Sequence, residues 1–277
     1  MHLEFRSLFS GSTGNSTLAA FDDTLLLIDA GRTGKILDEA ARSQGFDMRR
    51  VRAILVTHEH IDHIRGVGVL ARKYGMEVYA SPGTWAAMAD KVGEIPARQR
   101  CEFTPDEDFY IDRVNVLPFS IPHDAAQPTG FALSCGGRKV SVLTDLGHTT
   151  KELLTRVEGS DVLLLEANHD VQMLTDGSYP ERLKRRILSG KGHLSNDACG
   201  RALTELLGIG VPNVYLGHLS EENNVPELAY STVARMVEDF GAHVGRDVQI
   251  RMTYPNRAAE AFFPVRGESF RTGRGSK

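Results

Sequence analysis

Apolar positions in the first third of the chain alternate between strand-like and helix-like spacing. Residues 24–28 and 51–57 are short, almost continuous apolar runs, which predict buried strands. Residues 36–44 carry apolar side chains three and four positions apart, which predicts a helix. A further helix over residues 67–74 and a strand over residues 77–80 continue the alternation.

The middle of the chain has the pattern of an antiparallel sheet. Residues 114–119 predict one strand, and residues 130–134 and 139–144 flank Gly136-Gly137, a dipeptide typical of hairpin turns. The last third alternates again: a strand over 161–166, a helix over 196–207, a strand over 214–216, a helix over 226–240 and a strand over 248–252. Strands and helices in turn along nearly the whole chain predict α/β layers.

Histidine and aspartate recur just after the predicted strands end. The segment HEHIDH occupies residues 58–63, and three further candidates each follow a later strand: His123, Asp145 and His218. Loops at one edge of a sheet face a common space, and the sheet holds them rigidly. We therefore expect these side chains to meet.

Composition is that of an ordinary globular protein. The chain has 277 residues, 41% of them hydrophobic and 25% charged, and we expect one domain over residues 1–277 with a flexible tail at 266–277. No run approaches the ~20 apolar residues of a membrane span, and the start MHLEFRSLF lacks the pattern of a signal peptide. We expect a cytoplasmic protein without a membrane partner. Three cysteines without a CxxC pair argue against a disulfide framework and a cysteine-rich zinc site.

Net charge is −4, so no overall basic field indicates a protein that coats nucleic acid. An enzyme acting on nucleic acid stays compatible with this charge, because bound metal ions would supply local positive charge. Basic clusters are interpreted as solvated surface in preference to binding patches; they lie at residues 49–52, at residues 184–186 and in the tail at Arg266, Arg271, Arg274 and Lys277.

HEHIDH has the composition and spacing of a metal site. Imidazole suits zinc, iron or manganese, and carboxylate adds a hard ligand. The chain has ten histidines, and three of them beside an aspartate within six residues are hard to explain as packing. We therefore predict four metal ligands here: His58, His60, Asp62 and His63.

The later candidates favour a second metal ion. Each of His123, Asp145 and His218 has an ordinary interpretation as a polar loop residue, but all three follow predicted strands. A carboxylate between two close cations screens their repulsion, so Asp145 is the natural bridge. The ligand types accept manganese, zinc or iron, and the sequence leaves the metal open.

HEHIDH resembles the HxHxDH signature of the metallo-β-lactamase fold hydrolases, and His123, Asp145 and His218 match the later ligands in order. The resemblance implies an α/β fold, a four-layer αβ/βα sandwich with two metal ions at one edge. It implies that His58, His60 and His123 hold one ion and that Asp62, His63 and His218 hold the other. Asp145 would bridge them, with a water or hydroxide between the ions.

Several segments closely resemble the YycJ/WalJ-like group of that superfamily: SLFSGSTGNS, VTHEHIDH, GVGVLARKYG, HDAAQPTGF, TDLGH, EANHD, YPERLKRRI, GHLSN and HLSEENN. This resemblance implies a metal-dependent 5′→3′ DNA exonuclease, with DNA as the substrate. The chain lacks room for the inserted β-CASP domain of RNase J-type relatives. The alternative is a small-molecule hydrolase of the same fold: a cyclic phosphodiesterase, lactonase or thioesterase.

Residues outside the ligand set also carry candidate roles. The loop 10–16 offers phosphate contacts from Ser10, Ser12, Thr13 and Asn15, although an ordinary β-turn would have the same composition. Asp62 is expected to orient the nucleophile and accept its proton. His169 and His148 are candidates for contacts behind the ligands.

His193, in KGHLSN, resembles the histidine that assists the leaving group in tRNase Z, and the alternative is a helix-start histidine bonded to backbone. In tRNase Z a glutamate three residues before the bridging aspartate partners that histidine. Here this position is Val142, so the partner stays open among Asp161, Glu166 and Asp170.

Overall fold

Two β-sheets form the framework of the protein. The structure is a computed structural model, which describes residues 2–208 and 210–263. The first sheet has six strands, adjacent in chain order: β1 (Leu3–Phe9), β2 (Ser16–Phe21), β3 (Thr24–Ile28), β4 (Val51–Leu55), β5 (Glu77–Ala80) and β6 (Arg100–Glu102). The second has seven: β7 (Phe109–Ile111), β8 (Val114–Ser120), β9 (Thr129–Cys135), β10 (Arg138–Leu143), β11 (Val162–Glu166), β12 (Asn213–Gly217) and β13 (Gln249–Met252). They are also adjacent in chain order, with β13 and β7 at the edges.

Helices flank both sheets. They are α1 (Gly34–Ser43), α2 (Ile61–Ile64), α3 (Val67–Tyr74), α4 (Pro82–Val92), α5 (Lys151–Val157), α6 (Val171–Asp176), α7 (Glu181–Ile187), α8 (Asn196–Leu207) and α9 (Pro226–Asp239). None of the helices among residues 2–208 and 210–263 is long and apolar enough to cross a membrane.

Three apolar interfaces separate four layers. Between the sheets, Phe5 and Leu26 of the first share a buried cluster with Phe131 and Leu164 of the second. A second cluster joins the outer face of the first sheet to α1, α3 and α4, and a third joins the second sheet to α5, α8 and α9. The predicted αβ/βα sandwich is therefore confirmed.

Most predicted elements are present with similar ends. The helices over 67–74 and 196–207 and the strand over 77–80 have the predicted bounds. The strand predicted over 51–57 ends at Leu55 instead, because the Thr57 backbone N–H donates to the Asp29 carboxylate at 2.8 Å. Helices α4, α5, α6 and α7 were not predicted. The tail at 266–277 lies outside the described residues, and the single domain over 1–277 stays a prediction.

Strand direction collects one set of strand ends at one edge of the sandwich. In the first sheet β3 and β4 are parallel. In the second, β10, β11 and β12 are parallel to one another, and β8 has the same direction because β9 is antiparallel to both β8 and β10. The loops that follow these strands carry the predicted ligands.

Gly68 gives a test of the packing behind this edge. A Cβ at Gly68 would lie 1.8 Å from the carbonyl oxygen of Val92, so α3 and α4 would have to separate. We expect Gly68→Ala to lower the free energy of unfolding by about 1–3 kcal/mol, as overpacking does. Urea or thermal unfolding measures this change.

Gly208→Ala is the matched control. Its Cβ would find its nearest neighbour at 3.7 Å and its φ is −71°, so we expect a change within about 0.5 kcal/mol. Equal stability of the two variants would show that α3 can move away from Val92 without cost.

Candidate metal centre

Three strands end in a left-handed turn that points the next polar side chain inward. Asp29 after β3, Asp145 after β10 and His218 after β12 have φ values of 57°, 60° and 56°. Non-glycine residues in this region are strained and concentrate at functional sites. All three side chains are buried, so the strand ends deliver charge to the interior.

HEHIDH follows β4 as a loop and the single turn of α2. The Asp62 carbonyl packs on Gly31, where an added Cβ would lie 1.7 Å from it, and it accepts the Asn15 N–H at 2.7 Å. Gly31 in turn donates its N–H to the Asn15 carbonyl at 2.8 Å. The absence of a side chain at Gly31 is therefore what lets Asp62 approach β3.

The structure brings His58, His60 and His123 together. One ring nitrogen of each lies within 4.8 Å of the others. The Nε2 of His123 is 3.3 Å from the Nδ1 of His60. Two nitrogens that face each other at this distance need a proton or a cation between them, and ligands of one zinc ion lie no more than ~4.4 Å apart.

Asp62, His63 and His218 form an adjoining group, again within 4.8 Å. The Oδ2 of Asp62 is 3.5 Å from the Nε2 of His63 and 3.6 Å from that of His218. Asp145 lies between the two groups: Oδ2 is 3.4 Å from the Nε2 of His63, Oδ1 is 3.2 Å from the Nε2 of His218, and Oδ1 is 4.0 Å from the Nε2 of His123. All seven sequence-predicted ligands thus surround one space.

The outward nitrogens of the rings are held by protein oxygens. The Nδ1 atoms of four histidines have such partners: Thr57 Oγ1 for His58 at 3.0 Å, Asp29 Oδ2 for His63 at 2.7 Å, the Gly192 carbonyl for His123 at 3.2 Å and Glu166 Oε1 for His218 at 2.9 Å. Metal-binding histidines are oriented in this way, with one nitrogen anchored and the other facing the metal.

Buried polar atoms without partners test whether a metal fits. Within the described part of the chain, His58 Nε2, Asp145 Oδ2 and His218 Nε2 are buried and have no hydrogen-bond partner. An unpaired buried polar atom is costly, and these three all face the same space. The donor set, nitrogen with carboxylate oxygen, fits divalent metal ions.

The two groups differ in their affinity for protons. Burial lowers the pKa of His58, His60 and His123, which keeps their rings neutral. Burial also opposes protonation of His63 and His218, but Asp145 and the other carboxylates outweigh it and raise both pKa values, that of His218 to about 10. A metal ion at the second group must therefore displace protons.

Glu166, the last residue of β11, ties His193 to the centre. Its Oε1 accepts from the Nδ1 of His193 at 2.7 Å and of His218 at 2.9 Å, and its Oε2 accepts the backbone N–H groups of Leu146 and Leu194. Burial would raise the pKa of Glu166, but His193 and His218 hold it below the usual value. Of the three partners left open for His193, Glu166 makes the contact, while Asp170 caps α6 and Asp161 binds Arg138.

The loop between β1 and β2 is partly occupied by internal contacts. Ser10 Oγ accepts the backbone N–H of His218 at 2.8 Å, and Asn15 Nδ2 lies 3.1 Å from the Nε2 of His63. Both side chains are buried, so they support the ligand loops and have little freedom to reach substrate. Ser12 is exposed and Thr13 donates to Glu221 at 3.0 Å; their phosphate contacts stay predictions.

His169 and His148 lie beside the loop that carries His193. His169 is buried, pairs through its backbone with Ser195, and has a pKa lowered to about 4 by burial. His148 is exposed, and its Nδ1 is 2.9 Å from the Gly190 carbonyl. Their roles behind the ligands stay predictions.

Sequence reasoning missed three residues that orient ligands. Asp29 accepts from His63 and also from the N–H and Oγ1 of Thr57. Asn168 donates to the His218 carbonyl at 2.8 Å. Asp29 and Asn168 each follow a predicted strand, as the ligand candidates do, so the pattern contained their signal; Thr57 carried none.

Comparison with known proteins agrees with this geometry. Residues 24–219 match the model of a family described as the β-lactamase superfamily domain. The chain is 40% identical to an exodeoxyribonuclease YycJ of Bacillus anthracis, over 92% of this chain and 97% of that protein. It is 39% identical to an exodeoxyribonuclease WalJ of Streptococcus pneumoniae, over 92% and 96% respectively.

The fold has solved counterparts. The metallo-β-lactamase fold protein YhfI of Bacillus subtilis superposes with a TM-score of 0.71, covering 95% of this chain and all of that one, at 16% identity, which shows a shared fold alone. This fold, with the histidine and aspartate groups at its edge, implies divalent metal ions. The family match and the identity over nearly the full length together show that the chain belongs to the β-lactamase superfamily and has the metallo-β-lactamase fold.

Proposed function

We propose that this protein is a dinuclear metal-dependent phosphodiesterase that degrades DNA as an exonuclease from the 5′ end. The observation that carries the proposal is the convergence of seven nitrogen and oxygen ligands on one space, with Asp145 between two groups. The exodeoxyribonuclease relatives, matched over nearly their whole length, support the reaction class and DNA as substrate.

The proposed assignment gives one ion to His58, His60 and His123 and the other to Asp62, His63 and His218, with Asp145 shared. The group Asp145, Glu166, His193 and His218 also has close ligand atoms. We do not count it as a third site, because Glu166 already accepts hydrogen bonds from both histidines. Manganese, zinc and iron all suit the donor set.

Two divalent cations held by these residues would lower the pKa of a water and would stabilise the entering and leaving oxygens. Asp62 is well placed to orient that water and to take up its proton: its side chain is 19% exposed, while Asp145 is only 3% exposed. Four metal charges against the carboxylates of Asp62 and Asp145 leave a site of about +2, which favours an anionic phosphodiester.

His193 is proposed to donate a proton to the departing oxygen. Glu166 stays ionised and accepts from its Nδ1, which fixes the ring and leaves Nε2 as the exchanging nitrogen. The His193 side chain is 15% exposed, so it borders the open side of the centre and not its interior.

The first test of this proposal is the substrate itself. Duplex DNA labelled at the 5′ end should release labelled mononucleotide at once when Mn²⁺, Mg²⁺ or Zn²⁺ is supplied. Duplexes labelled at the 3′ end should shorten stepwise. Asp62→Ala, purified in parallel, should leave both intact and so exclude a contaminating nuclease.

Turnover of a lactone, thioester or small cyclic phosphate, with both DNA substrates left intact, would instead identify a small-molecule hydrolase. Release of 3′-labelled mononucleotide first would keep the nuclease and reverse its polarity.

His193→Ala should separate proton donation from metal binding. We expect unchanged metal content and a single-turnover rate lower by ~10²–10⁴-fold, as for loss of a general acid. His243→Ala, an exposed histidine after α9, is the control for imidazole removal and should match the wild type. A normal rate in the His193 variant would contradict its proposed role, and lost metal would make it a ligand.

Asp29→Asn should weaken metal binding without touching a proposed ligand. Asparagine tolerates the left-handed backbone of position 29, but its amide no longer supplies the carboxylate that holds His63. We expect the affinity for Mn²⁺ or Zn²⁺ to fall ~10–100-fold, measured by competition with a chelator.

Asp112→Asn makes the same change at an exposed turn residue with φ of 52° and serves as the control. Metal affinity equal in the two variants would remove Asp29 from the support of the centre.

A further inference from the structure

Arg186 stands out among the basic residues near the centre. It lies in the last turn of α7, and the His193 N–H donates to the neighbouring Ile187 carbonyl at 3.0 Å. Its guanidinium donates hydrogen bonds to the Asp124 carboxylate from both Nε and Nη2, and Nη2 is 3.0 Å from Oδ1. Asp124 directly follows His123, and its Oδ1 is 3.5 Å from the Nε2 of that ring. A single side chain, that of Asp124, therefore separates Arg186 from the proposed ligand His123.

The neighbours of Arg186 in the same basic cluster have different surroundings. Lys184 is buried and donates to the Thr175 carbonyl at 2.7 Å, so it serves the packing of α7. The Arg185 side chain is exposed and makes no hydrogen bond or ion pair within residues 2–208 and 210–263. The sequence expectation of solvated surface thus fits Arg185 but not Arg186, whose raised pKa comes first from Asp124, with further contributions from Asp62 and Asp145.

Stability does not account for the Arg186–Asp124 pair. The side chains are 47% and 32% exposed, and ion pairs this open to water add little to folding. A guanidinium has five N–H donors in a fixed fork, and Asp124 occupies two of them. The Nη1 of Arg186 makes no hydrogen bond within the described residues, so the free N–H groups of the guanidinium can donate to a second anion.

Asp124 also offsets the electrostatic repulsion between the Arg186 guanidinium and a positively charged metal centre. A bare guanidinium next to a centre of about +2 would be repelled, but the paired carboxylate makes the unit neutral and lies between the guanidinium and His123. Arginine binds phosphate in a bidentate manner, with direction as well as charge.

We propose that Arg186, held by Asp124, is a positioning residue that binds a phosphate of the DNA strand beside the scissile phosphodiester. The proposal rests on the proposed nuclease function. It assigns to this chain a second phosphate subsite at the rim of the metal centre, formed by α7 and the loop after β8. This subsite would fix how far the strand enters before cleavage.

The experiment compares Arg186→Ala with Arg185→Ala, which removes the same charge from the same helix. We expect the KM for DNA of the Arg186 variant to rise about tenfold or more, since a charge-assisted hydrogen bond is lost. Its kcat on bis(p-nitrophenyl) phosphate, which has no neighbouring phosphate, should be unchanged. Arg186→Lys keeps the charge without the fork and should recover only part of the loss.

A binding readout accompanies activity. The slope of log K against log salt for DNA binding should decrease by about 0.7–0.9 in Arg186→Ala, the value for one lost phosphate contact, and stay near wild type in Arg185→Ala. Asp124→Asn should raise the KM in the wild-type background but have no further effect in Arg186→Ala, because the two residues act as one unit.

The outcomes separate this proposal from the one on which it rests. Wild-type protein that leaves DNA intact overturns the nuclease function. Wild-type protein that digests DNA, with equal KM and salt slope in the two alanine variants, overturns only the role of Arg186. Loss of metal or of activity on bis(p-nitrophenyl) phosphate in Arg186→Ala would likewise overturn it and give Arg186 a structural role at the ligands.

Discussion

The buried carboxylates at the sheet edge are the constraint on which the site depends. Asp29, Asp145 and Glu166 are almost fully buried, and a carboxylate oxygen of each lies within 3.2 Å of an imidazole nitrogen. A buried charge must be paired, because the free energy lost when it leaves water is not otherwise compensated. In this protein the carboxylates lie next to His63 and His218 and raise the pKa values of both rings. Divalent ions would compensate the carboxylate charges in the same way, with more positive charge. Protons and metal ions therefore compete for the same histidine nitrogens.

The backbone sets where those carboxylates lie. Three strands end in left-handed residues, a conformation that costs about 1–3 kcal/mol each and persists only where the surroundings fix it. The surroundings here are strong: Asp29 is held by Thr57 and His63, and the His218 backbone by Ser10 and Asn168. The sheets and these hydrogen bonds therefore fix the positions of the proposed ligands, which lowers the cost of assembling a metal centre.

Sequence patterns predicted which residues converge at the sheet edge better than they predicted the residues that support them, and the reason is physical. A ligand set must contain particular side chains at short spacing, as in HEHIDH, so the sequence itself records it. A supporting residue needs only one oxygen or amide at the right place, which Thr57 supplies with its hydroxyl and Asn168 with its amide. Ser10 and Asn15 are predicted as phosphate contacts because a small polar loop has the same composition whether it faces substrate or the back of a ligand; the structure adds that both side chains contact residues of the centre. Helices α4 to α7 were missed because α4 starts with Pro82-Gly83, a turn-like pair, and the other three have only six or seven residues each.

The two sides of the centre differ in a way that fits strand cleavage. Behind the ligands, Glu166 and Asp29 are buried, accept hydrogen bonds from the rings and are closed to solvent. In front, the partly exposed side chains include Asp62, His193 and the Arg186–Asp124 pair. The front thus offers the carboxylate and the imidazole for which proton transfer is proposed, together with a guanidinium whose Nη1 has no hydrogen-bond partner among the described residues. A substrate with a single small ester would use only the first two. A polymer with a phosphate at every nucleotide would use all three, and this asymmetry favours a nucleic acid strand over a small molecule.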